Sequence, residues 1–261
     1  MDKKIIMILV DGMRPDYIMS NTNPYIRTFL SQSVYTMEAR TVMPSVTLPC
    51  HTSLFLSVPP ERHGILTNTW VPQVRPVKGL VEVLNEAGKL CAFIYYWEPL
   101  RDLSQPGYLG FSYFTSGKLI SCEKSLTISI SRASEIIKKE SPDFMFIYIG
   151  LPDARGHAFG FTTEEYAESI SLAWDGIRSI TGLASTDYGV VVLADHGGHG
   201  RSHGEDIAED MTIPVILYGE LFKNADMSAG VSIIDVAPTI AEAMGVNPDA
   251  EWEGRSMYRG G

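Results

Sequence analysis

Three aspartates each stand just beyond an apolar run: Asp11 after IIMILV, Asp153 after FMFIYIGLP, and Asp195, with His196 behind it, after GVVVLA. Short, β-branched runs without charge are the pattern of strands buried on both faces of a parallel sheet. Such sheets bind ligands beyond the carboxyl ends of their strands, so three strands delivering carboxylates there imply one acidic site. Carboxylates clustered away from water must take up protons or hold cations. His157, His196 and His203 follow close behind them, which favours metal over shared protons. Three carboxylates and three imidazoles are the ligand count that two ions with open positions need. Oxygen and imidazole donors without thiolate favour zinc, with manganese or iron as alternatives.

The spacing agrees with this chemistry. Asp153 and His157 are four apart, so one helical turn or a tight loop can aim both at one ion. Asp195 and His196 are adjacent just past a strand, and the glycines of HGGHGRSHGED let the backbone bend sharply on its way to His203. A further segment is Val46-Thr47-Leu48-Pro49-Cys50-His51. A helix starting near Pro49 would point free N–H groups at an anion over Thr47, whose hydroxyl becomes a nucleophile only with a base or metal beside it. Taken singly, each residue has an ordinary reading: a strand-end aspartate usually caps a helix or a turn. His51, His63 and His199 read as local hydrogen-bonding groups, and Glu205 and Asp206 as loop residues or supports for His203. Arg14 and Arg155 read as surface ion pairs, the aromatics at 95–97 as core, and Trp70 as a candidate wall for a leaving group.

The elements that must position these groups follow a βα rhythm along 261 residues, one α/β domain over 1–261 with a mostly parallel central sheet sandwiched between helices. Strands are expected at 5–10, 34–42, 91–97, 144–150, 189–194 and from Ile213, the last started by Pro214. Helices are expected at 24–30, about 49–57, 78–87, 123–140, 163–181 and 232–244. Residues 98–121 are the least regular, a small cap or insertion with FSYF as an edge strand. The net charge of -10 argues against nucleic-acid polymers and anionic membranes as partners. The apolar start of MDKKIIMILVDG stops at Asp11, too soon for a signal peptide or a membrane span. Three cysteines without CxxC spacing fit a reducing compartment, and the expected location is cytoplasmic.

Taken together, DG after the first strand, TLPCH, PERHGILTN, PDARGH, ADHGGHG and SHGED resemble the alkaline phosphatase superfamily, and most closely its nucleotide pyrophosphatase/phosphodiesterase branch. The resemblance runs from about residue 5 to 246, closing on SIIDVAPTIAEAMGV. It implies an alkaline phosphatase-like fold, Thr47 as nucleophile, and Asn68, 21 residues on, as a contact to the phosphoryl oxygen. It also implies Asp153, His157 and His203 as ligands of one metal, and Asp11, Thr47, Asp195 and His196 as ligands of the other. A Cys or Ser nucleophile with an arginine four residues on would mark a sulfatase; Thr47 and His51 hold those places. Larger members of the branch carry a long insertion between the Asp-His pair and the last histidine, where six residues stand here, and Cys50 replaces a common asparagine.

The expected activity is hydrolysis of a small phosphate ester through a phosphothreonine. Asn68, with the amides of Thr47 and Leu48, would hold the non-bridging oxygens. Diesters are favoured over monoesters, because Asn68 is a neutral donor and no arginine stands at a phosphate-binding position. A phosphonate hydrolase and a phosphomonoesterase share the machinery. The lysines expected around a carboxylated phosphonate are not evident near Asn68. A metal-bound but inactive binding protein is the alternative of another class. The exact substrate, the native metal and the oligomeric state lie beyond these residues.

Overall fold

The computed structural model describes residues 3–184 and 188–260, so Met1 and Asp2 of the leader-like start lie outside it. Seven strands form one sheet: β1 (Lys4–Val10), β2 (Ser33–Arg40), β3 (Cys91–Tyr95), β4 (Phe111–Phe114), β5 (Phe144–Ile149), β6 (Tyr188–Leu193) and β7 (Thr212–Tyr218), in the order β2-β7-β6-β1-β5-β3-β4. From β6 to β4 every pairing is parallel, while β7 runs antiparallel to both β6 and β2. All of β5 and β6, and β1 beyond Lys4, are buried, as strands covered by helices on both faces must be. Among the described residues no helix is long and apolar enough to cross a membrane.

Register carries the site. Val10 pairs with Ile149 and Leu9 with Leu193, so the three central strands end level with one another. The residues that leave them, Asp11, Gly150 to Asp153, and Ala194 to His196, therefore emerge at one edge. The Asp11 N–H still bonds Ile149 O at 2.8 Å, which holds the first of them against the neighbouring strand.

Two elements differ from the sequence expectation. β7 starts at Thr212 rather than at Pro214. Pro214 lies within the strand, opposite the place where β2 shifts register between Thr36 and Ala39. A bulge there leaves a position needing no ladder donor, which a residue without N–H can fill. The helix expected from Pro49 begins at Thr47 and runs to Leu56, with Val46 extended before it. Residues 98–121 form two 3-10 turns, the parallel edge strand β4, and a short Gly117–Ile120 helix. They make a strap along the sheet edge rather than a separate layer. The amphipathic Glu164–Thr181 helix buries Tyr166, Ile170, Trp174 and Ile177, each worth about 1.5–3 kcal/mol if fully removed from water.

Gly12 shows how tightly the strand ends converge. Its φ is +66°, and a Cβ there would lie 3.2 Å from Asp153 Cα and 3.1 Å from the Phe161 ring. Gly64 has a φ of +78° but open space around it. Both alanine substitutions carry the left-handed backbone penalty of about 1 kcal/mol. Only Gly12→Ala also crowds a neighbouring backbone, which adds roughly 1–3 kcal/mol. Denaturant unfolding of the two variants should separate them by that margin, and equal midpoints would contradict the packing described.

Candidate active site

At the carboxyl edge of the sheet the side chains fall into two touching groups. In one, His196 Nε2 lies 3.3 Å from Asp11 Oδ1 and 3.4 Å from Asp195 Oδ2, and Thr47 Oγ1 stands 3.2 Å from the same nitrogen. In the other, Asp153 Oδ1 lies 3.4 Å from His157 Nε2 and 3.6 Å from His203 Nε2, with 3.2 Å between the two imidazole nitrogens. The rings of His196 and His203 stack at 3.7 Å and join the groups. Donor atoms of Asp11, Asp195 and His196, and again of Asp153, His196 and His203, lie within 4.8 Å of one another. PDARGH is helical, from Leu151 to Phe159, so one turn places Asp153 and His157 on the same face.

Backbone carbonyls decide which imidazole nitrogen is free. His157 Nδ1 lies 2.9 Å from Arg201 O, His196 Nδ1 2.8 Å from Gly197 O, and His203 Nδ1 2.8 Å from Ser45 O. A carbonyl only accepts, so each Nδ1 carries a proton, and the neutral tautomer of each ring is the one that turns an Nε2 lone pair into the cleft. The Nε2 atoms of His157 and His203 thus face each other with no proton to share between them. That arrangement repels unless a cation or an added proton stands there. Burial, and then His196, hold His203 down at about 4, which disfavours the proton.

The carboxylates make the same case. Asp11 Oδ1, Asp153 Oδ1 and Asp195 Oδ2 are buried without a hydrogen-bond partner among the described residues. Asp11 does accept the Tyr148 hydroxyl at 2.6 Å on Oδ2, and Asp195 the Gly12 N–H at 3.2 Å on Oδ1. Burial, then Asp195 and Asp153, push the Asp11 carboxyl well up from its ordinary value, and burial raises Asp153. Three orphaned oxygens facing three imidazole lone pairs fit divalent cations in donor type and number.

Thr47 is the first residue of a wholly buried helix. Of the amides in that first turn, Leu48 N–H donates to Asn68 Oδ1 at 2.9 Å, Pro49 has none, and Cys50 N–H bonds Val46 O at 3.0 Å. The Thr47 N–H is left for an anion, so the expected contribution from Leu48 is corrected: its amide instead orients Asn68, whose Nδ2 hydrogens stay available. His51 Nδ1 bonds Thr47 O at 2.8 Å and lies 3.4 Å from Asp195 Oδ2, behind the site. His63 serves structure, accepting from Ile65 N–H and facing Ser53 Oγ at 2.9 Å. His199 meets the buried Asp210 at 2.8 Å. Arg14 pairs with Asp16, Arg155 with Glu123, and Asp206 with Arg40.

A cavity of about 270 Å³ opens over these groups. Its aromatic wall is Tyr96 and Trp97, while Trp70 lines a separate cavity with Phe55 and Tyr108. Trp70 is therefore not a wall of this cavity, while Tyr95 and Tyr96 are core as expected and Tyr96 and Trp97 also face the cavity. Tyr148 and Lys118 also line the cavity and carried no motif. Tyr148 had one trace in the sequence, a hydroxyl near the end of an apolar strand; Lys118, 50 residues from Asn68, had none.

The profile of the type I phosphodiesterase / nucleotide pyrophosphatase family matches residues 5–212. Ectonucleotide pyrophosphatase/phosphodiesterase family member 3 of Mus musculus is 25% identical over 217 residues, 74% of this chain and 24% of that protein. This chain thus spans about a quarter of the length of that relative. Among solved structures, murine ectonucleotide pyrophosphatase/phosphodiesterase 5 superposes with a TM-score of 0.75 at 14% identity, covering 98% of this chain and 100% of the other. A 2-O GAG sulfatase superposes with a TM-score of 0.74 at 14% identity, covering 98% and 73%. At those identities the superpositions speak for the α/β fold alone. The strand-end aspartates, the threonine at its helix start and the matched profile agree: this chain belongs to the type I phosphodiesterase / nucleotide pyrophosphatase family, within the alkaline phosphatase superfamily.

Proposed function

We propose that this chain is a single-domain phosphohydrolase that cleaves phosphodiester or nucleotide pyrophosphate bonds of small molecules, with Thr47 as nucleophile. The observation that carries the reading is the place of Thr47: its Oγ1 lies 3.2 Å from His196 Nε2, at a helix start and on the wall of the cavity. Divalent cations, zinc first among them, held by Asp11, Thr47, Asp195 and His196 and by Asp153, His157 and His203, would neutralise the carboxylates and supply Lewis acidity to attacking and departing oxygens. The Thr47 hydroxyl gives its proton to solvent water and its oxygen attacks phosphorus while the bond to the leaving group breaks; the leaving oxygen takes a proton from water, and the phosphothreonine formed still carries the ester group that stays on phosphorus. Water then attacks that phosphorus and restores the hydroxyl. Asn68 Nδ2 and the Thr47 N–H hold the non-bridging oxygens as charge develops on them. Tyr148 stays protonated, raised by burial and by Asp11, and keeps Asp11 aimed at the cleft.

The relatives support the substrate class. They are named pyrophosphatases and phosphodiesterases, and the murine member 5 structure exists as an inactive threonine-to-alanine form in complex with AMP. The net charge of -10 disfavours polymeric nucleic acid as substrate. Cys50, Cys91 and Cys122 are free thiols, which suits the cytoplasm as the proposed location.

Three measurements test the reading. Purified protein should carry about two equivalents of transition metal, and chelation should abolish ester hydrolysis reversibly. Asp153→Ala and His196→Ala should each lower metal content, and full occupancy in both would remove the assignment. Thr47→Ala should keep the fold and lose at least about 10³-fold in kcat, with Thr47→Ser retaining part; acid-quenched wild type should show phosphate or a phosphoester on the Thr47 peptide. Asn68→Asp keeps an acceptor for Leu48 N–H but replaces the donor by a charge, so kcat/KM on an aryl diester should fall by about 10²–10³. A change under threefold would take Asn68 out of the mechanism.

A further inference from the structure

Lys118 is the one lysine or arginine lining the cavity over Thr47 among the described residues. Every other charged side chain on that wall is a carboxylate, and Lys118 itself is exposed and makes no ion pair with a described residue. Its position is built by the strap. The Gly117 N–H bonds Tyr96 O at 3.0 Å, and Ser116 caps the short helix by accepting from Leu119 N–H at 3.3 Å. A Cβ on Gly117 would lie 3.1 Å from Tyr96 and 3.7 Å from Cys122 Sγ. The strap therefore closes on the aromatic wall at the residue before Lys118. From there the wall continues through Cys122, Ala154, Asp153 and His157, part of the ligand group other than the one that Thr47 touches.

We propose that Lys118 sets substrate selectivity, drawing in esters whose leaving group carries negative charge of its own, as in a nucleotide pyrophosphate, over esters with a neutral leaving portion. The inference rests on the phosphohydrolase reading above. Two features of the site demand such a cation. The scissile phosphoryl has its own neutral donors in Asn68 and the Thr47 amide, so a free ammonium is not needed there. A second anionic group beyond it would meet no lysine or arginine of the cavity wall other than Lys118 among the described residues. A lysine on a mobile stem supplies a point charge that follows such a group without fixed geometry.

The test compares ATP with thymidine 5′-monophosphate 4-nitrophenyl ester, which lacks charge on its leaving phenol before cleavage, on metal-loaded protein. In Lys118→Ala the ratio of kcat/KM for ATP to that for the nitrophenyl ester should fall about tenfold, mostly through KM for ATP. Lys118→Glu should lower it further, and Lys118→Arg should restore it. The wild-type ratio should decline with added salt, and the decline should flatten in Lys118→Ala. Adenosine 5′-diphosphate, which releases phosphate, and a carboxyalkyl ester of adenosine 5′-monophosphate, which releases a carboxylate, tell a phosphate from a carboxylate as the anion read. An unchanged ratio in Lys118→Ala, or a loss of metal content in that variant, overturns the inference and leaves Lys118 as a solvated or charge-balancing residue. Wild type that hydrolyses neither substrate overturns the phosphohydrolase reading instead.

Discussion

Three buried carboxylates at one sheet edge repel one another, and most of the surrounding structure can be derived from how that repulsion is contained. Asp11, Asp153 and Asp195 each keep one oxygen without a hydrogen-bond partner among the described residues, and two of them give the other oxygen to groups that aim them. Tyr148 holds Asp11, and the Gly12 amide holds Asp195. Without a cation the arrangement would be relieved by protonation, as the raised Asp11 and Asp153 show. The cost of burying such charge is met only where a counter-charge arrives.

The histidines are controlled from behind by main-chain carbonyls. Arg201, Gly197 and Ser45 each present an oxygen to an Nδ1, so the tautomer is chosen by backbone that the fold cannot easily move. Those carbonyls come from the loop after β6 and from the segment before the Thr47 helix. The proposed nucleophile and the proposed ligands are thus parts of one framework: Ser45 orients His203, and two residues later Thr47 meets His196. Asn68 joins it through the Leu48 amide.

The strap at 98–121 adds what the sheet cannot. A doubly covered parallel sheet ends in loops over its carboxyl edge, and the identity of those loops decides what enters. Here a short edge strand returns the chain to Tyr96, and the residues that follow close the cavity with a lysine. Only six residues separate His196 from His203, and none of them lines the cavity.

How much was legible in the chain depends on whether the signal was local. Apolar runs ending in Asp11, Asp153 and Asp195 announce buried parallel strands and an acidic edge, because strand burial and carboxylate chemistry are written in consecutive residues. The Asp-x-x-x-His spacing works equally well, since a helical turn is a local object. Pro214 was misplaced because the bulge that admits it belongs to β2, far away in sequence. The helix start at Thr47 rather than Pro49, and the capture of the Leu48 amide by Asn68, depended on a contact between two segments. Exchange of Trp70 for Tyr96 and Trp97 in the cavity wall, and the arrival of Lys118, were likewise decided by packing of the strap on the sheet edge. The sequence by itself determined which chemistry the chain carries, because donor types and their local periodicity do not need a fold to be read. Only the tertiary structure decided which side chains share a cavity, because that is set by strand order and register, which no single segment encodes.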